Sequence, residues 1–69
     1  MTGTMEIAGA LAVMRGNALV ERTHGDKDDA VILAAEYVGA LEFLKRAGVM
    51  REELTDILMK QFREEYLSA

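Results

Sequence analysis

Apolar residues between positions 26 and 48 recur at helical spacing and predict a long central helix. At about 100° per residue, one broad face is apolar throughout and is typical of a core-facing stripe; it consists of Leu33, Ala34, Tyr37, Val38, Ala40, Leu41 and Leu44. Asp26 predicts the start, because a carboxylate there accepts hydrogen bonds from the free N–H groups of the first turn. Lys45, Arg46 and Gly48 predict the end, since cations suit the C-terminal end of the helix dipole and glycine tolerates the left-handed backbone that closes a helix.

The far side of this helix carries a second apolar line, which consists of Ile32, Ala35, Gly39 and Phe43. Only charged residues interrupt it, namely Glu36, Glu42 and Arg46. A chain of 69 residues has little left to cover this line once the core face is packed. We therefore expect a second protein chain to cover it, and we predict that these four apolar residues form an interface.

A first helix is predicted over residues 5–23, where Ala, Leu, Met, Glu and Arg predominate. Ala8, Ala12 and Gly16 are spaced four apart, so they form a narrow strip on which another backbone could approach closely, and we add them to the predicted interface. The alternative is a β-hairpin with Gly16-Asn17 as its two-residue turn. The alanine content argues against strands, but the sequence leaves both possibilities open for residues 10–24.

A third helix is predicted over residues 51–67, with Met50 at its cap position. Its apolar stripe is expected to contain Leu54, Ile57, Leu58, Phe62 and Tyr66, with Met59 beside it. Short connections make successive helices antiparallel neighbours. The predicted fold is therefore all-α, a small three-helix antiparallel bundle in one domain over residues 1–69, with helices at about 5–23, 27–47 and 51–67, completed by dimerisation.

Composition favours association and argues against other partners. A small domain buries only roughly 60% of its unfolded surface and often relies on disulfides, metals or oligomerisation; this chain has no cysteine, and 51% of its residues are apolar. The net charge of −4, with scattered basic residues, predicts no direct nucleic-acid binding and favours a basic protein partner. The apolar run over residues 7–14 is far shorter than the ~20 residues that span a bilayer, so we expect no membrane association and a cytoplasmic protein.

Candidate chemistry is sparse. Glu21 and His24 form a Glu-x-x-His pair, the element that di-iron carboxylate bundles take from each of two helices. This pair lies at a helix end, where a histidine complements the helix dipole, so we assign it no metal. The chain has no cysteine, one histidine, and Ser68 only at its C-terminal end. We therefore expect no catalytic residues, no cofactor and no enzymatic activity.

Three functional hypotheses follow, in order of preference. The first is a non-catalytic interaction or regulatory module that self-associates, as a homodimer, and binds a protein partner of unknown identity. The second is an acidic inhibitor of the phage type, which would occlude a basic, nucleic-acid-binding surface of a larger target. The third is a metal-binding, di-iron-like helical dimer built on Glu21 and His24.

Overall fold

The computed structural model describes residues 2–69, and this part of the chain forms three helices and no strand. Helix α1 spans Thr2–His24, α2 spans Lys27–Arg46 and α3 spans Glu52–Ser68. The predicted all-α, three-helix fold is confirmed. The hairpin alternative for residues 10–24 is wrong, because α1 continues without a break through Gly16 and Asn17.

A tight connection makes α1 and α2 antiparallel neighbours. The Asp26 carboxylate accepts hydrogen bonds from the backbone N–H groups of Asp28 at 2.7 Å and Asp29 at 3.4 Å, which confirms the predicted helix cap. On the other side of the turn, the Glu21 carboxylate accepts a hydrogen bond from the Asp26 backbone N–H at 2.8 Å. Both side chains therefore stabilise the turn, and the two helices then pack along most of their length.

The connection between α2 and α3 begins with the predicted left-handed glycine. Gly48 has a φ of 74°, a conformation that side-chain-bearing residues rarely adopt. Its N–H donates to the Lys45 carbonyl at 3.1 Å, and the Val49 N–H donates to the Leu44 carbonyl at 3.0 Å. This pair of bonds is the Schellman arrangement, which satisfies carbonyls at the end of the helix and turns the chain toward α3.

The core lies between the three helices and confirms the predicted face of α2. Its buried members are Leu11, Ala18, Tyr37, Leu41 and Phe62. The other five residues of the predicted α2 stripe are half-buried and pack against this cluster. The rings of Tyr37 and Phe62 meet edge-to-face with centroids 4.8 Å apart, the geometry that aromatic quadrupoles favour.

The predicted stripe and cap of α3 need correction. Leu54 and Ile57 are exposed, whereas Thr55 is fully buried. Thr55 tolerates burial because its hydroxyl donates to the Arg51 carbonyl at 2.9 Å, which leaves the donor satisfied within the helix. The cap residue is Arg51 rather than Met50, and its side chain forms no capping hydrogen bond. Helix α3 is therefore rotated relative to the prediction, and Leu54 is left outside the core.

Candidate interaction surfaces

Helices α1 and α3 are linked through their C-terminal halves. The Arg22 Nε donates to the Tyr66 carbonyl oxygen at 3.1 Å, and its guanidinium carbon lies 4.9 Å from the centroid of the Tyr66 ring. Arg15 forms an ion pair with Glu65. No hydrogen bond or ion pair joins the N-terminal halves of the two helices among residues 2–69. The N-terminal halves of α1 and α3 are therefore not held together by polar contacts, and a groove lies between them.

The open side of the bundle is an apolar groove with a volume of about 550 Å³. We call it the α1–α3 groove. Its two walls are formed by apolar side chains from α1 and α3, namely Ile7, Ala8, Leu11, Ala12, Leu54 and Leu58. The groove is also lined by residues of α2, of the second connection and of the first turn of α1, namely Tyr37, Leu44, Val49, Met50 and Thr4. Its size lies within the range of about 300–1,000 Å³ that is common for ligand sites in proteins.

The charged residues that line this groove are both basic, although the chain as a whole carries a net charge of −4. Arg15 lies where the groove meets the linked C-terminal halves of α1 and α3, and it pairs there with Glu65. Arg51 lies beside the start of α3 and forms no ion pair with any other described residue. The groove is thus apolar with a free cation at one end.

A phenol with a perturbed pKa also lines the groove. Burial raises the pKa of Tyr37 above its ordinary value of 10.0. The positive charge of Arg15 lowers this pKa to a smaller extent, and Glu65 raises it further. Tyr37 is therefore a neutral, buried phenol at neutral pH.

The second apolar line of α2 forms a separate surface, which we call the outer face of α2. All four of its residues are exposed; the exposed fraction is 59% for Ile32 and 69% for Phe43. A Cβ atom added at Gly39 would meet nothing within 4 Å. No part of residues 2–69 covers this face, in agreement with the expectation that the core face uses up the chain.

The seven predicted interface residues do not form one surface. Ala8 and Ala12 line the α1–α3 groove, while Gly16 is half-buried and lies outside the groove lining. The outer face of α2 lies on the side of that helix opposite the core and the groove. The sequence analysis did not identify Leu54 and Val49 as groove residues. Helical periodicity assigned Leu54 to the core-facing stripe of α3, and Val49 lies in a connection, where no helical pattern applies.

Glu21 and His24 remain apart from any cluster of metal ligands. The Glu21 carboxylate is engaged by the Asp26 N–H and lies against Gly25, and His24 is exposed. In the part of the chain that the structure describes, no three side chains among His, Asp and Glu come together as ligands. Glu21 therefore acts in the turn between α1 and α2, and His24 is the exposed last residue of α1.

Comparisons with known proteins identify no similar protein. Matching the chain against protein-family models, curated proteins and solved structures gives no significant similarity. Among the described helices, none combines the length and the apolar character needed to cross a membrane.

Proposed function

We propose that this protein is a non-catalytic interaction module that binds an amphipathic helix of a protein partner in the α1–α3 groove. The observation that carries this proposal is the open groove itself, in which Leu54 is 47% exposed beside a buried core. Apolar grooves between helices accept partner helices whose apolar residues recur at positions i, i+3, i+4 and i+7. The α1 wall suits such a partner, since Ala8 and Ala12 leave room for close approach.

The charges at the groove define the chemistry of the partner more closely than the net charge does. Arg51 is unpaired within residues 2–69, so a carboxylate on the partner helix would gain an ion pair there. The net charge of −4 favours a basic partner at long range, but contacts within the groove depend on the nearby arginines. We therefore propose a partner helix with an apolar stripe and at least one acidic residue at the end that meets Arg51.

Nothing comparable favours the other two hypotheses. An acidic inhibitor needs its carboxylates on one surface, whereas Asp28 and Asp29 lie at one end of the bundle and Glu52 and Glu53 lie at the other. A metal-binding dimer needs Glu21 to be free for coordination, whereas its carboxylate accepts the Asp26 N–H. The proposed interaction module is supported by the open, apolar α1–α3 groove.

A matched pair of variants tests the proposal. The wild type, Leu54→Asp and Leu67→Asp are each used to capture proteins from the native host, and the captured partner is then purified for titration calorimetry. Leu67 is a suitable control because it is also an exposed leucine of α3 and does not line the groove. We expect Leu54→Asp to weaken binding of the purified partner about tenfold or more and Leu67→Asp to leave it unchanged. Equal binding by all three proteins would rule out the groove as the binding site.

A further inference from the structure

The outer face of α2 ends in charges of opposite sign. Asp28 lies in the first turn of α2 and Arg46 in the last turn. At about 100° per residue, both lie on the same side of the helix as Gly39. Arg46 is 83% exposed, and its Nε lies 3.9 Å from the Glu42 carboxylate, so the guanidinium is free to reach a second acid. The face is therefore apolar along its middle, with Glu36 and Glu42 at its edges, and it has an acidic residue at one end and a basic residue at the other.

We infer that the outer face of α2 pairs with the same face of a second copy of this chain, and that the two α2 helices run antiparallel. The positions are symmetric about Tyr37, because Asp28 and Arg46 each lie nine residues from it and Ala35 and Gly39 each lie two residues from it. A two-fold axis at that level places Asp28 of each copy opposite Arg46 of the other. The same axis places Ala35 opposite Gly39.

Gly39 is explained by this pairing. Glycine inside a helix lowers helix stability relative to alanine, and no neighbour within residues 2–69 requires its lack of a side chain. Opposite Ala35 of the second copy, Gly39 lets the two backbones approach closely. Phe43 of each copy then lies near Ile32 of the other. Because the axis is two-fold, this contact forms twice and covers the largest exposed side chains of the face in both copies.

The charges select the antiparallel orientation. A parallel pair would bring Asp28 against Asp28 and Arg46 against Arg46, which costs free energy through repulsion at both ends. Antiparallel helices also place the positive end of each helix dipole beside the negative end of the other. The proposal uses a surface that is separate from the α1–α3 groove, and it does not depend on the function proposed for that groove.

Sedimentation equilibrium over a range of concentrations tests the association. We expect the wild type to shift from 7.6 kDa toward twice that mass as concentration rises. Phe43→Glu should weaken dimerisation about tenfold or more, and Leu67→Glu should leave it unchanged. The two residues are a matched pair, since their exposures are 69% and 68%. Circular dichroism of each variant checks that helix content is retained.

Cysteine cross-linking tests the orientation, and the absence of native cysteines makes it specific. Ala35→Cys and Gly39→Cys are prepared separately, then oxidised alone and as a mixture. Antiparallel pairing predicts a covalent dimer chiefly in the mixture, because each new thiol faces the other position. Parallel pairing predicts that each variant forms covalent dimers by itself.

Three results would overturn the inference: a mass of 7.6 kDa at every concentration, a dimer that Phe43→Glu leaves intact, or stronger cross-linking of each single variant than of the mixture. The second result would leave the outer face to a different protein or to solvent. Leu54→Asp distinguishes this proposal from the groove proposal, because it changes partner binding and should leave the dimer mass unaltered.

Discussion

Tyr37 is expected to make the stability of the protein depend on pH. Burial holds the pKa of its phenol above 10.0, so the folded chain binds this proton more tightly than the unfolded chain does. The stabilisation is therefore fully present below about pH 10 and is lost as the pH rises through the pKa of the folded state. We expect the free energy of unfolding, measured by urea titration between pH 8 and 11, to fall with increasing pH.

Tyr37→Phe is the control for this effect, because phenylalanine keeps the ring that packs on Phe62 and has no proton to lose. The fall above pH 10 should be smaller in this variant than in the wild type. Identical pH profiles for the two proteins would show that Tyr37 contributes nothing to the pH dependence.

Tyr66 carries a buried hydroxyl with no hydrogen-bond partner among residues 2–69. An unsatisfied buried polar group costs about 1–3 kcal/mol, so Tyr66→Phe should leave the free energy of unfolding unchanged or raise it by about 1 kcal/mol. The aromatic contacts with Arg22 and Phe62 need only the ring and are retained. Chemical denaturation provides the measurement, and a loss of stability would mean that the hydroxyl has a partner in solution.

Thr55 shows why periodicity alone failed at this scale. A polarity pattern treats threonine as a surface residue and leucine as a core residue, so the predicted stripe of α3 includes Leu54 and does not include Thr55, the reverse of their burial in the structure. A hydroxyl that donates to a carbonyl one turn earlier is satisfied locally, and its methyl group can then be buried. The sequence contains no signal that distinguishes this state from an exposed threonine.

At the scale of single elements, α2 was the most predictable part of the chain. Its cap at Asp26 and its closing glycine at Gly48 are chemical signals with one dominant structural meaning, and both are found in the structure. The start of α1 was less predictable, because its first turn has no acidic residue, and the helix begins at Thr2 rather than at residue 5. Helix ends are predictable where a side chain determines them.

The two faces of α2 should respond differently to truncation. Leu41 is fully buried, so Leu41→Ala should lower the free energy of unfolding by about 2–5 kcal/mol. Ile32→Ala on the outer face should change it by less than about 0.5 kcal/mol when the protein is dilute enough to be monomeric. Urea unfolding at low concentration tests both variants, and equal losses would contradict the assignment of the two faces.

At the scale of the whole molecule, the candidate sites were predictable only in part. The outer face of α2 follows from periodicity within one helix, and its exposure agrees with the sequence analysis. The α1–α3 groove depends on how far two separate helices diverge, which no pattern within either helix encodes. Ala8 and Ala12 were found from their spacing, whereas Leu54 and Val49 became visible as groove residues only when α1 and α3 were placed together.

The short turn at Gly25 and Asp26 also has a consequence for how the chain folds. Most contacts between helices join α1 to α2, which are adjacent in sequence, so little loop-closure entropy opposes their pairing. Proteins dominated by such local contacts fold in microseconds to milliseconds. We therefore expect an α1–α2 hairpin to form first and α3 to close onto it through Phe62, a core residue, and Tyr66, which packs against the core. The groove lies at the opposite end of α3, so we expect it to be the last region that folding completes and the place where the proposed partner helix would join that step.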